Sequence, residues 1–253
     1  MITLSIAVNA APLLEDTVVM VVPANPRIGN EGNIRDYSHI DISGDIKRGA
    51  AEKLQKAIPE ARRIASTFNF DGTPVVRVIL QSPGGEVMEA MRLGEILRRN
   101  AVEVWVLPGS ACNSACVFVL SGGTSRVVSL GAKIGIHRPY FIPEEFARLS
   151  YGQSQNSYRK LADLARIYLR DMGIDDLLFT EMMRVESRKM NYISQEFVEA
   201  VGLDGNDPAY QEWQRARDIQ AAGKNEIESI EKYTDCVSSG EDEKKCKRFL
   251  SKR

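Results

Sequence analysis

Residues 75–86, Val-Val-Arg-Val-Ile-Leu-Gln-Ser-Pro-Gly-Gly-Glu, decide the fold. Val75–Leu80 is a nearly unbroken apolar run rich in β-branched residues, as expected of a strand buried on both faces of a parallel sheet. Ser82-Pro83-Gly84-Gly85 ends it, and a helix is predicted from Glu86 with Val87, Ala90, Met91, Gly94 and Leu97 on one face. Upstream, Ile40-Asp41-Ile42, the turn Ser43-Gly44-Asp45 and the stripe Ile46, Ala50, Leu54, Ala57, Ile58 and Ala61 repeat this strand–turn–helix pattern. Downstream, Val102–Leu107 reads as the next strand and Pro108–Asn113 as a loop. Ser114–Leu120 reads as a short apolar helix closed by Gly122-Gly123, and Arg126–Val128 and Lys133–Ile136 as short strands. This alternation from 40 to 136 predicts an α/β fold, a parallel sheet with crossover helices.

Outside that region, Val18–Val22 reads as a buried strand and 24–38 as a loop. Helices are predicted at 155–172, 175–187 and 194–201. Beyond Gly202-Leu203-Asp204 the chain turns polar and charged. Three segments are therefore expected: 1–16 as an N-terminal segment, 17–204 as the α/β domain and 205–253 as a helical tail.

The chain has 253 residues, 43% hydrophobic, with a net charge of −1. No basic surplus draws it to phosphate, so nucleic acid is not an expected partner. No apolar run reaches the ~18 residues of a membrane span. The start, Met1-Ile2-Thr3-Leu4-Ser5-Ile6-Ala7-Val8-Asn9-Ala10, fits either the remnant of an export signal or a short strand. The cysteines form two local pairs, which suits an oxidising, periplasmic compartment better than the cytoplasmic alternative. Cys236 and Cys246 flank a turn-forming stretch and are expected to bond. For Cys112 and Cys116 a regular helix would set an awkward i, i+4 distance. The spacings are not those of a zinc ribbon, and no metal or other cofactor is expected.

Three pieces carry chemistry. Gly84 and Gly85 can aim backbone N–H groups into a cleft without side chains in the way, as an oxyanion hole requires. Alone they would be a tight turn. Ser114 stands at a predicted helix start, where it could be a nucleophile or an ordinary N-cap. His137 ends a predicted strand and could serve as general base. Cys112 or Cys116 as nucleophile is the weaker alternative.

Taken in order, Ser82-Pro83-Gly84-Gly85, Ser114-Ala115 and Gly135-Ile136-His137-Arg138-Pro139 resemble the proteolytic subunit of the Clp protease. So do Ile42–Ile46 and Tyr192-Ile193-Ser194 with Val198–Leu203. The resemblance runs over about residues 37–204, and Cys112-Asn113-Ser114-Ala115-Cys116 is most similar to an exported branch of such proteins. It implies a crotonase-like (ClpP-like) repeated β-β-α spiral with a parallel sheet, plus a C-terminal helical extension. It further implies Ser114 as nucleophile, His137 as base and the Gly85 and Ala115 N–H groups as oxyanion hole. Pro83 and Gly84 would line the substrate, and the 155–172 helix would build homo-oligomer contacts. The family's triad aspartate has no counterpart before Tyr192. Asn191 is the nearest polar residue, a weak candidate to orient the imidazole.

The expected function is thus a serine hydrolase acting on peptides. An exported protein would not be expected to work with an ATP-driven unfoldase. The alternative is a non-catalytic peptide- or ligand-binding module on the same scaffold. Acyl-thioester chemistry ranks last, because the cleft segments offer only Glu86 and Glu89 as carboxylates.

Overall fold

The computed structural model describes residues 16–24, 37–69, 71–140 and 150–250. The expectations for 1–15 and for most of the 24–38 loop lie outside these. Among the described residues, β1 (Val18–Val22), β2 (His39–Ser43), β3 (Arg77–Gln81), β4 (Glu103–Val106), β6 (Ser125–Val128) and β9 (Gly205–Asn206) form one sheet in the order β1-β2-β3-β4-β6-β9. The four inner strands are parallel, and β1 and β9 pair antiparallel at the edges. A second sheet holds β5 (Ala111–Asn113), β7 (Lys133–Ile136) and β8 (Asn191–Tyr192). A parallel bridge between Ser82 and Cys112 ties the end of β3 to β5, so the two sheets share one run of chain.

Helices α1 (Ala50–Arg63) and α2 (Val87–Arg99) bury the apolar stripes predicted for them. Ile40, Ile42, Val78, Leu80, Val104 and Val106 fill the core with these helices and with α3 (Cys116–Ser121), all six residues of which are buried. Helix α1 begins at Ala50 rather than Ile46. Its N-cap, Gly49, has no side chain to cap with, and the buried Glu89 of α2 does so instead. Glu89 Oε1 accepts from the Gly49 and Ala51 N–H groups, each at 2.9 Å. An anion at a helix N-terminus is favourable, and a lost cap typically costs ~1 kcal/mol.

Glycine sets the spacing between α2 and α3. A Cβ on Gly122 would collide with the Gly94 backbone, and one on Gly94 with the Tyr168 hydroxyl. That hydroxyl donates to the Phe118 carbonyl at 2.7 Å, and burial pushes its pKa up. Tyr168 comes from α4 (Tyr151–Asp171), which is followed by α5 (Asp176–Arg184) and α6 (Gln195–Ala200). Arg126, 2% exposed, donates to the carbonyls of Ser121 and Met172 and links the ends of α3 and α4. Desolvation pulls its pKa down to about 10, so the guanidinium stays charged at neutral pH.

Three expectations need correction. β1 is an edge strand with Val18 40% and Met20 52% exposed, not a buried one; with a partner on one side only, its outer face meets solvent. Residues 108–113 are not all loop, because Ala111–Asn113 pairs with β7. The sheet also runs past residue 204, since Gly205 and Asn206 pair with β6 before the tail begins. The tail itself is helical: α7 (Pro208–Ala222), α8 (Lys224–Ser238) and α9 (Glu243–Cys246). α7 buries no residue and α8 only Ile227, while the Arg98–Asp207 ion pair at 2.8 Å pins its start to α2. No helix among the described residues is long and apolar enough to cross a membrane.

Candidate active site

The site is built from three chain segments that end side by side. At the close of β3, Ser82 Oγ donates to the Gly44 carbonyl at 2.6 Å and accepts from the Gly84 N–H at 3.1 Å, fixing the turn. Gly84 and Gly85 have φ of 113° and 140°, a region that side chains rarely enter. A Cβ on Gly84 would lie 2.7 Å from Ser114 Cβ, so the glycine is needed for the backbone to approach the serine. Gly85 pairs with Ile46: the Ile46 N–H donates to Gly84 O, and the Glu86 N–H to Ile46 O. Bonds on either side of Gly85 leave its own N–H turned away from Ile46. Pro83 is exposed beside it.

Ser114 follows β5 with φ 55°, one of two non-glycine residues with positive φ among the described ones. Its N–H donates to Gly135 O of β7 at 2.8 Å, in continuation of the Asn113–Gly135 register. The N-cap of α3 is Ala115, and no side-chain cap bond is made there. The capping explanation for Ser114 therefore fails, and its left-handed backbone calls for another reason. Gly135 is glycine because a Cβ would meet Asn113 Oδ1 and, at 2.7 Å, Met190 Sδ. A glycine inside a predicted strand was the available sign of such a close approach.

The Cys112–Cys116 disulfide spans this elbow, with a Cα–Cα distance of 5.2 Å. The awkward helical distance does not arise, because Cys112 lies in β5, Ser114 is left-handed and α3 starts only at Cys116. With both sulfurs bonded, neither cysteine is a free thiolate. Cys236 and Cys246 are bonded as well, at 5.6 Å.

His137 directly follows β7 and is 6% exposed. Its Nδ1 lies 2.9 Å from the carbonyl oxygen of Arg138, and its ring is 5.6 Å from that of Tyr140. The β5–β7 pairing carries Ser114 and His137 to the same end of the second sheet. Asn191 is opposite Ile136 across the β7–β8 pair and exposed. No hydrogen bond joins His137 to Ser114 or to Asn191 among the described residues. Of the two cleft carboxylates, Glu89 is taken up in capping α1. No group of three or more metal-ligating side chains occurs among the described residues.

No family model matches the chain, and no curated protein matches it. Among solved structures it is similar to the 1510-N membrane-bound stomatin-specific protease in complex with a substrate peptide. There the identity is 16%, with 69% of this chain and 77% of the other covered, and a TM-score of 0.47. A second variant of that protease gives 16% identity, 73% and 87% coverage and a TM-score of 0.47. A ClpP1 variant from Listeria monocytogenes gives 13%, 63%, 84% and 0.47.

Proposed function

We propose that the protein is a serine hydrolase acting on peptide bonds through Ser114 and His137, on a crotonase-like β-β-α scaffold. The observation that carries this reading is the strained Ser114 backbone, φ 55°, with no capping role and with glycine backbone packed directly against its Cβ. Strain of this kind costs on the order of 1–3 kcal/mol and gathers at functional sites. Ser114 Oγ attacks the scissile carbonyl, and His137 takes its proton and returns it to the leaving amine. The N–H groups of Gly85 and Ala115 receive the oxyanion; neither donates a backbone hydrogen bond among the described residues. Pro83 and Gly84 flank the bound peptide.

Two disulfides, one of them buried at the site, favour an exported, periplasmic protein. In that compartment substrates are short or unfolded peptides, with no ATPase partner, and self-assembly follows the family that the motifs resemble.

The test is a fluorophosphonate probe applied to the wild type, Ser114→Ala and His137→Ala. Wild-type labelling lost in both variants is the expected result. A folded wild type that stays unlabelled would remove the hydrolase reading and favour the peptide-binding module.

A further inference from the structure

We propose that the main-chain carbonyl of Arg138 is the orienting partner of His137, in the place where a triad would hold a carboxylate. The inference rests on the hydrolase reading above. A carbonyl oxygen can only accept, so the 2.9 Å contact puts a proton on His137 Nδ1. The neutral ring then has its lone pair on Nε2, the nitrogen a base needs free, and Nε2 has no hydrogen-bond partner among the described residues.

The carbonyl is itself held. The Arg138 N–H donates to Val185 O at 3.1 Å, and the Val185 N–H donates to Met182 O, anchoring that strut to α5. Pro139 follows and disfavours the helical conformation at Arg138. Two main-chain constraints and a buried ring thus fix the tautomer without an acidic side chain.

The second histidine shows what the arrangement is not. His39 Nδ1 also faces a carbonyl, that of Tyr37 at 2.7 Å, but its Nε2 lies 3.5 Å from Asp41 Oδ1. With both nitrogens engaged and the ring 2% exposed, His39 is structural. His137 differs in the open Nε2.

In the acylation step the Ser114 Oγ–H proton passes to Nε2 as Oγ bonds to the carbonyl carbon, whose π pair moves to oxygen. The same proton then leaves Nε2 for the amine nitrogen as the C–N bond breaks. Throughout, Nδ1–H stays on the Arg138 carbonyl. A neutral dipole stabilises the imidazolium less than a carboxylate does, so the site turns over more slowly than a full triad. Asn191 takes no part.

The experiment is ring-nitrogen NMR of the whole, disulfide-intact protein at about pH 9, where an ordinary imidazole is neutral. His137→Gln assigns the signals. The expected result is a pyrrole-type Nδ1 and a pyridine-type Nε2 for His137; the reverse tautomer would overturn the proposal. In parallel, an α-hydroxy acid at position 139 turns the Arg138 carbonyl into a weaker ester acceptor. The probe-labelling rate should fall about tenfold, while Asn191→Ala stays within about twofold. A tenfold loss in Asn191→Ala with an unaffected ester variant would hand the role to Asn191 and overturn the proposal. The tautomer is read whether or not Ser114 reacts. A protonated Nδ1 beside an unreactive serine sinks the hydrolase reading, and the catalytic use of this bond with it.

Discussion

The two disulfides sit in opposite settings. Cys112–Cys116 closes a short loop inside the core, both residues at 0% exposure, with Ser114 at its centre. Cys236–Cys246 closes a longer loop between α8 and α9 in the charged tail, where Cys246 is buried and Cys236 only partly so. Loop-closure entropy favours the tail bond, at about 3 kcal/mol against about 2 for the inner one. If stability were the only use of these bonds, the inner one would be the more dispensable. Its position says otherwise: it brackets a residue whose backbone is held in an unfavourable region. The lesson is that a cross-link's energetic weight and its geometric weight need not go together.

The comparison can be broken most sharply at Gly84. Gly84→Ala puts a methyl against Ser114 at positive φ, and probe labelling should be abolished, with stability reduced by about 2–3 kcal/mol. Gly109→Ala, also at positive φ but with open space around it, should cost only about 1 kcal/mol and leave labelling intact. Equal losses in the two variants would mean that the approach to Ser114 has no special role. Next comes removal of the inner bond. Cys112→Ala with Cys116→Ala should slow labelling about tenfold in a protein that still folds by circular dichroism. Removing Cys236 and Cys246 should instead raise hydrogen exchange in 224–250 and leave the labelling rate within about twofold. A similar loss of labelling in both double variants would show that the inner bond acts on stability alone. The smallest effect is expected for Ser114→Gly. Releasing the positive φ should raise stability by about 0.5–1 kcal/mol, read from the denaturation midpoint, whereas Ser114→Ala should not.

The strands and helices of the α/β core were legible because their signals are local. Val75–Leu80 has the composition of a buried parallel strand, and the stripes of α1 and α2 have helical spacing. β5 was not, since Ala111–Asn113 owes its strand pairing to β7 and Ser82 rather than to its own residues. Likewise nothing local marks Val18–Val22 as an edge strand; that depends on where β1 lies in the strand order. At the site, Gly84, Gly85, Ser114 and His137 were picked out as residue types suited to the chemistry. The Arg138 carbonyl was invisible, because a main-chain acceptor leaves no mark in a sequence. The unusual backbone of Ser114 was equally hidden, because a sequence cannot tell a left-handed serine from a capping one.

The pairings that assemble the elbow join segments far apart along the chain, Ser82 with Cys112 and Cys112 with Ile134. Contacts of that kind form after local helices, because the intervening loops must close first. The elbow around Ser114 is therefore expected to form late in folding. A nascent or partly unfolded chain carries the same residues without the arrangement they make together, so on the proposed reading probe reactivity would report the mature fold.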